Sequence, residues 1–258
     1  MNMNSLLSIN RSALNGLQKN LDTTAYNIAN INSSGFKGKE TSFKELLPDP
    51  TSTNELARAQ TAEALDNSRG MTVLNQSQDF RQATISETGQ PYDMAIDGNG
   101  FFGVRYKNGQ LYLTRDGSFH LDSKGDLVNK NGLTVEMSNQ NLQPWPKGSV
   151  VIDSKGVVTI NSSQGNQVVG EIVLFMPQND TELIERGQQL FQPTGLLQSS
   201  TDTPAIFGNI HSQALENANV DLATSMVDMM STQRAYSLNL QVLQSTDDMS
   251  SIINRMTD

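Results

Sequence analysis

The chain has 258 residues, no cysteine, and 18 basic against 27 acidic side chains, giving a formal net charge of −9 and a pI near 4.7. That balance argues against a nucleic-acid binder, which needs a basic face, and the lack of cysteine excludes disulfides, thiolate metal sites and cysteine nucleophiles. The length is enough for one to three domains with real cores, although 91 residues are Asn, Gln, Ser or Thr, nearly equal in share to the 36% that are hydrophobic.

The first residues, Met1-Asn2-Met3-Asn4-Ser5-Leu6-Leu7, lack a basic n-region, a continuous apolar stretch and a small-residue cleavage site. They do not form a conventional secretory signal, so export would need another route. No apolar run approaches the roughly 20 residues that span a bilayer. Residues 3–28 carry a heptad instead: Met3, Leu7, Asn10, Leu14, Leu17, Leu21, Thr24 and Ile28 alternate by four and three. This pattern predicts a helix that lays one stripe on partner helices, with Asn10 and Thr24 as polar register points. The helix should stop near Asn32-Ser33-Ser34-Gly35, where glycine can take a left-handed cap.

Residues 48–70, from Pro48-Asp49-Pro50 to Arg69-Gly70, are polar and read as a linker that orders against a partner. From about 71 to 208 the pattern is β. Short β-prone runs such as Phe101 to Tyr106, Leu111 to Thr114, Val157 to Ile160 and Val168 to Phe175 are separated by Asn108-Gly109, Asp116-Gly117, Lys124-Gly125, Asn131-Gly132 and Lys155-Gly156. Asn-Gly and Asp-Gly supply the positive φ of tight hairpins. The regular spacing suggests a small antiparallel sandwich or barrel with its own core.

No proline or glycine occurs from Glu216 to Asp258, which predicts one long helix of about 35–40 residues capped by Asn219 or Asp221. It carries two stripes. Leu222, Met226, Met229, Gln233, Tyr236, Leu240 and Leu243 form the first, and Ala235, Leu238, Val242, Thr246, Met249, Ile253 and Met256 the second. One partner helix cannot bury both. The simpler alternative is a wide-faced bundle helix within a monomer.

Chemistry-bearing constellations are thin. His120 and His211 are the only histidines and lack metal-ligand spacing, so they read as a sheet-face and a loop residue. Gly98-Asn99-Gly100 lacks the third glycine of a dinucleotide site and reads as a turn. Asp122-Ser123-Lys124-Gly125-Asp126 has too few spaced oxygens for calcium and reads as a hairpin turn. No nucleophile, metal or acid/base signature suggests an enzyme, a cofactor or a small-molecule substrate.

Four segments, in order, are similar to the bacterial flagellar rod and hook proteins. Ala29-Asn30-Ile31-Asn32-Ser33-Ser34-Gly35-Phe36-Lys37 resembles the signature that ends their first helix. Ala95-Ile96-Asp97-Gly98-Asn99-Gly100-Phe101-Phe102 resembles a strand and turn. Thr114-Arg115-Asp116-Gly117-Ser118-Phe119, followed by Asp122, Gly125 and Leu127-Val128, resembles a hairpin. Ala214-Leu215-Glu216-Asn217-Ala218-Asn219-Val220-Asp221, then Gln233-Arg234-Ala235-Tyr236, resembles the C-terminal signature. Phe43-Lys44-Glu45-Leu46-Leu47 looks most like the rod proteins of Gram-positive bacteria.

The resemblance implies an α+β multidomain fold. Residues 1–35 and 215–258 would form a discontinuous helical coiled-coil inner domain, 36–70 a connecting segment, and 71–208 an antiparallel all-β outer domain. It further implies a structural subunit of the flagellar basal-body rod that stacks helically into a hollow tube. Such a subunit transmits torque, encloses the export channel and passes through the flagellar type III apparatus without a cleaved signal. Its partners would be copies of itself and other axial proteins. The opposite charges of the two ends, +1 over 1–35 and −4 over 215–258, favour their pairing. The alternative is an extracellular β-domain binding module on an oligomerising helical stalk.

Overall fold

A computed structural model of the chain describes residues 3–45, 71–106, 108–138, 145–146, 148–162, 165–179 and 183–257. These residues form an α+β fold, with one long helix at each end of the chain and an extensive antiparallel β region between them. They group into two compact units. One collects the described residues of Met1–Ala29, Gly38–Asp79 and Val220–Asp258, the other those of Asn30–Lys37 and Phe80–Asn219.

In the first unit, α1 (Met3–Ala29) and α2 (Leu222–Thr257) pack on each other. Asp221 starts α2: its carboxylate accepts the Thr224 N–H at 2.7 Å, satisfying a donor that the first helical turn leaves unpaired. Of the two cap residues expected, Asp221 is the one that does this. The least exposed of the described positions of α2 are Ser225, Met229, Thr232, Ala235, Tyr236, Asn239, Leu243 and Thr246, a stripe at helical spacing. On α1 the deepest positions are Gly16, Thr23 and Thr24, and Asn20 donates to the Thr232 hydroxyl at 3.3 Å. The face that α2 turns inward is therefore half polar. It shares Met229, Tyr236 and Leu243 with the first predicted stripe and Ala235 and Thr246 with the second, and adds the small side chains of Ser225, Thr232 and Asn239. Small residues let two helix backbones approach closely, and their hydroxyls bond back to their own helix, as Thr232 does to the Asp228 carbonyl at 2.8 Å.

Two strands complete this unit. Lys39–Glu45 pairs antiparallel with Met71–Gln78, with a register irregularity between Ser42 and Phe43. The sequence alone predicts a connector over 36–70 and a β domain that begins at 71. Composition alone makes Lys-Glu-Thr-Ser-Phe-Lys-Glu look like a linker, but α1 holds it in place. Asn27 Nδ2 donates to the Lys39 carbonyl at 2.8 Å, and Asn27 Oδ1 accepts the Lys39 N–H at 2.9 Å. Thr41 Oγ1 donates to Thr23 Oγ1 at 3.0 Å, and the Lys39 ammonium sits 4.4 Å from the Tyr26 ring centre. The expected polar linker, 48–70, and Leu46 and Leu47 lie outside the described residues. No helix among the described residues is long and apolar enough to cross a membrane.

The second unit is built from antiparallel sheets. The largest follows the order Leu183–Glu185, Phe191–Pro193, Leu111–Thr114, Phe101–Arg105, Thr134–Val135, Leu127–Asn129, Phe119–Leu121. Leu174–Pro177 also pairs with Phe101–Arg105 and carries Leu197–Ser199. A four-stranded sheet runs Met137–Ser138, Gly165–Ile172, Val157–Ser162, Ser149–Ile152. Two short pairs join Met94–Asp97 to Asn209–Ser212 and Ile85–Glu87 to Ala214–Glu216.

Phe101–Val104 is buried on both faces of its strand and so divides two cores. Phe102 points into the main one, with Met94, Ile96, Val104, Trp145, Ile160 and Ile172, and meets Phe119 edge-on at 5.2 Å. Phe101 points into a smaller one with Leu113 and Phe191, where Phe80 stands edge-on to both aromatic rings. Edge-to-face packing of this kind adds to plain area burial. Gly109, Gly125, Gly132 and Gly156 take positive φ at the predicted hairpin turns. Gly117 differs. Its φ is not positive; glycine is required there because a Cβ would run into the Met94 carbonyl, and the Met94 N–H donates to the Gly117 carbonyl at 3.1 Å. Asp116-Gly117 is thus a close-approach site and not a tight hairpin.

Candidate assembly site

The motif segments meet within the β unit around one carboxylate. Alternation along Ala214–Glu216 turns Ala214 and Glu216 toward the interior, and Glu216 is 1% exposed. Glu216 Oε1 accepts from Lys37 Nζ at 2.7 Å and from the Ala83 N–H at 2.9 Å. Arg115 Nη1 lies 3.4 Å from Oε2. Lys37, also 1% exposed, donates in addition to the Arg81 carbonyl at 2.7 Å. Arg115 Nη2 donates to the Gly98 carbonyl at 2.8 Å, and its guanidinium lies 5.2 Å from the Phe101 ring centre. Burial pulls the Arg115 guanidinium below its ordinary pKa, and the attraction and hydrogen bond of Glu216 oppose that fall. Buried charges persist only when paired and hydrogen-bonded, and this triad pairs all three charges across three segments far apart in sequence, leaving Arg115 Nε as the one buried donor of the group without an acceptor.

Around the triad the backbone closes tightly. Gly35 takes φ +66° and donates its N–H to the Glu216 carbonyl at 2.7 Å. Phe36 is buried, and its carbonyl accepts the Asn219 N–H at 3.3 Å. Asn219 Nδ2 in turn donates to the Arg81 carbonyl at 3.3 Å. Ser34 Oγ donates to Asp116 Oδ1 at 2.8 Å, and Lys130 pairs with Asp116 Oδ2 at 2.8 Å. Gln82 bridges Asp97 and Gly98: its Nε2 donates to Asp97 Oδ1 at 3.0 Å, and its Oε1 accepts the Gly98 N–H at 2.9 Å.

Of the motif residues expected to matter, Gly35, Phe36, Gly98, Phe101, Arg115, Gly117 and Asn219 converge here. Asp97 sits at the rim, half exposed, 3.5 Å from His211 Nε2. Asn30 accepts the Ser33 N–H in the turn after α1, while Asn32 is exposed. Gly100 separates the two strands, and Phe119 belongs to the main core. Asp221, Arg234 and Tyr236 lie in the helical unit. Lys37 and Glu216 belong to the first and last motifs, but their mixed surroundings, Ser33-Ser34-Gly35-Phe36-Lys37-Gly38-Lys39 and Gln213-Ala214-Leu215-Glu216-Asn217, carry no local sign of burial. His211, expected in a loop, lies on the strand Asn209–Ser212, because it completes a pair with Met94–Asp97. His120 is on a strand, exposed, as expected.

The helix residues singled out for packing divide differently. Leu7, Leu14, Leu17, Leu21 and Ile28 of α1 are half-buried. On α2, Met229, Tyr236 and Leu243 are half-buried, whereas Leu222, Met226 and Leu240 of the first stripe are exposed. So are Leu238 at 61%, Val242 at 51% and Met249 at 59% of the second. The side chains of Met3, Ile253 and Met256 lie outside the described residues.

Comparison with known proteins places three segments in described families. Residues 7–37 match "Flagella basal body rod protein", 95–183 match "Flagellar hook protein FlgE/F/G D1 domain", and 211–256 match "Flagellar basal body rod FlgEFG protein C-terminal". The chain is 30% identical over 253 residues to the flagellar basal-body rod protein FlgG of Borreliella burgdorferi, covering 95% of this chain and 96% of that one. FlgG of Bacillus subtilis is 30% identical, covering 92% and 93%, and FlgF of Caulobacter vibrioides 29%, covering 96% of each. Similarity at one level to relatives from such different bacteria does not separate a Gram-positive from another form.

Proposed function

The chain belongs to the flagellar basal-body rod protein family, as a structural subunit and not an enzyme, and we propose that it polymerises helically through its terminal helices with copies of itself and other axial flagellar proteins. The observation that carries this reading is α2. Its α1-facing stripe is half polar, while Leu238, Val242 and Met249 stay more than half exposed. A row of large aliphatic side chains left in water on a long helix marks a protein-protein surface. Contacts that repeat from subunit to subunit without closing a ring build an open filament. In that filament α1 and α2 form the inner coiled coil around the export channel, the β unit lies outside, and torque passes along the packed helices. The chain would reach the basal body through the flagellar type III apparatus.

The test is electron cryo-microscopy of basal bodies from a strain carrying a tagged copy and from a deletion strain. The reading expects tag density on the rod and truncated, non-motile basal bodies without the protein. A deletion strain with complete rods would overturn it.

A further inference from the structure

The β unit is discontinuous. It includes Asn30–Lys37 from one end of the chain, of which Gly35, Phe36 and Lys37 are buried, and reaches Asn219 near the other. Lys37 and Glu216, 179 positions apart, meet at 2.7 Å with both side chains fully enclosed. Without residues 30–37 the Glu216 carboxylate loses its closest cation, and the space filled by Phe36, 2% exposed, is vacant. Without residues 214–219 the consequences are worse: Lys37 and Arg115 face each other as buried cations with no carboxylate, and the Ala83 N–H loses its acceptor. Removing one member of a buried ion group strongly destabilises what remains.

We propose that the Lys37–Glu216–Arg115 triad is a completion lock: the β unit acquires its cooperative core only when both chain-end segments are in place. Whichever end of a nascent or threaded chain leads, the unit stays open until residues 37 and 216 are both free to fold. The helices beyond them then extend from a β unit that is already closed. This inference does not depend on how the helices assemble.

Native-state hydrogen exchange on the full-length wild-type monomer tests it. The reporting amides are Gly35, bonded to the Glu216 carbonyl, Ala83, bonded to its carboxylate, and Asn217, bonded to the Thr84 carbonyl. The reference amides are Glu136, bonded to Gly103, and Ile172, bonded to Gly156, both within the sheets. If the ends belong to the cooperative core, all five exchange through one global opening, with protection equal to within about tenfold. Reporting amides less protected than the references by more than that would show that the ends detach by themselves and would overturn the proposal.

A second measurement uses the single tryptophan, Trp145, which lies in the main core and belongs to none of the three triad segments. In full-length Glu216→Gln, the unfolding constant read by Trp145 fluorescence should rise by at least about tenfold with an unchanged denaturant slope. A Trp145 transition identical to wild type, with Gly35 and Ala83 deprotected, would equally overturn it. Should the variant fail to fold, the wild-type exchange pattern decides.

Discussion

The α-carbon of Gly35 rests directly on the backbone of Arg115, so that a side-chain carbon at position 35 would sit inside contact distance of the Arg115 carbonyl and the Asp116 nitrogen. Gly35 also holds φ +66°, so two separate demands fall on one residue. Gly35→Ala should therefore cost well beyond the roughly 1–2 kcal/mol of left-handed backbone alone, because the neighbouring atoms are backbone and cannot step aside. Gly109→Ala supplies the comparison. It has φ +87° but open space where the methyl would go, and should cost only the roughly 1–2 kcal/mol of the left-handed backbone. Urea unfolding of both full-length variants, followed by Trp145 fluorescence, measures the difference. Equal losses would mean that the approach to Arg115 relaxes.

The three members of the buried triad should not be equivalent. Glu216 accepts from three donors, whereas Lys37 leaves Arg115 and Ala83 behind to satisfy the carboxylate. Glu216→Ala should destabilise by about 3–5 kcal/mol, the range for stranding buried charge, and Lys37→Met by about 1–3 kcal/mol, closer to one lost buried hydrogen bond. The ranking, measured by denaturant midpoint, is the point at issue. A Lys37→Met loss equal to or above that of Glu216→Ala would contradict the carboxylate-centred geometry.

Asp221 predicts a pH dependence in α2. The Thr224 N–H, and secondarily its hydroxyl, hold the Asp221 carboxyl below its ordinary value of 3.8. A folded-state pKa below the unfolded one gives stability that is present above the unfolded value and lost as pH falls through the folded one. Helix content near the start of α2 should thus decline on acidification below about pH 4. Asp221→Ser keeps a cap without a titrating group, and the difference between the two proteins should vanish at neutral pH and grow below about pH 4 with the serine variant the more helical. Parallel acid profiles for the two by circular dichroism would exclude the cap as the titrating element.

On α2, Leu240→Asp and Val242→Asp separate folding from assembly. Both side chains are exposed, Val242 by half and Leu240 by just over a third, so each variant monomer should melt within about 0.5 kcal/mol of wild type. Once a neighbouring subunit covers the stripe, an unpaired charge there costs several kcal/mol before relaxation. Both variants should be secreted, yet fail to enter the rod and lose motility, while Asp248→Lys, off both stripes, should swim. A motile strain carrying either variant would place that stripe in solvent within the rod.

Much of this architecture was legible in the chain because local physics writes it there. The four-and-three repeat of Leu7, Leu14, Leu17 and Leu21, the run free of proline and glycine after Glu216, and the Asn-Gly and Lys-Gly turns each follow from backbone geometry within a few residues. They yielded α1, α2 and the hairpins of the β region close to their observed bounds. Four motifs in order pointed to the family before any coordinate did.

What the chain did not disclose depends on distance in space. Lys39–Glu45 looked like connector because its partner strand begins at Met71 and its anchor, Asn27, sits on α1. Neither relation has a local signature. The stripe that α2 turns toward α1 was readable only in part: hydrophobic periodicity finds Met229, Tyr236 and Leu243, while the contact also selects the small residues Ser225, Thr232 and Asn239 between the large rows. Lys37, Arg115 and Glu216 stand in three separate motifs, and a sequence shows three isolated charges there. Burial makes them one group, since only a folded interior with water excluded forces each charge to find the others. Composition, period and turn chemistry determined the elements of this protein, and the desolvation of three side chains brought together by the fold decided how its ends close upon its β unit.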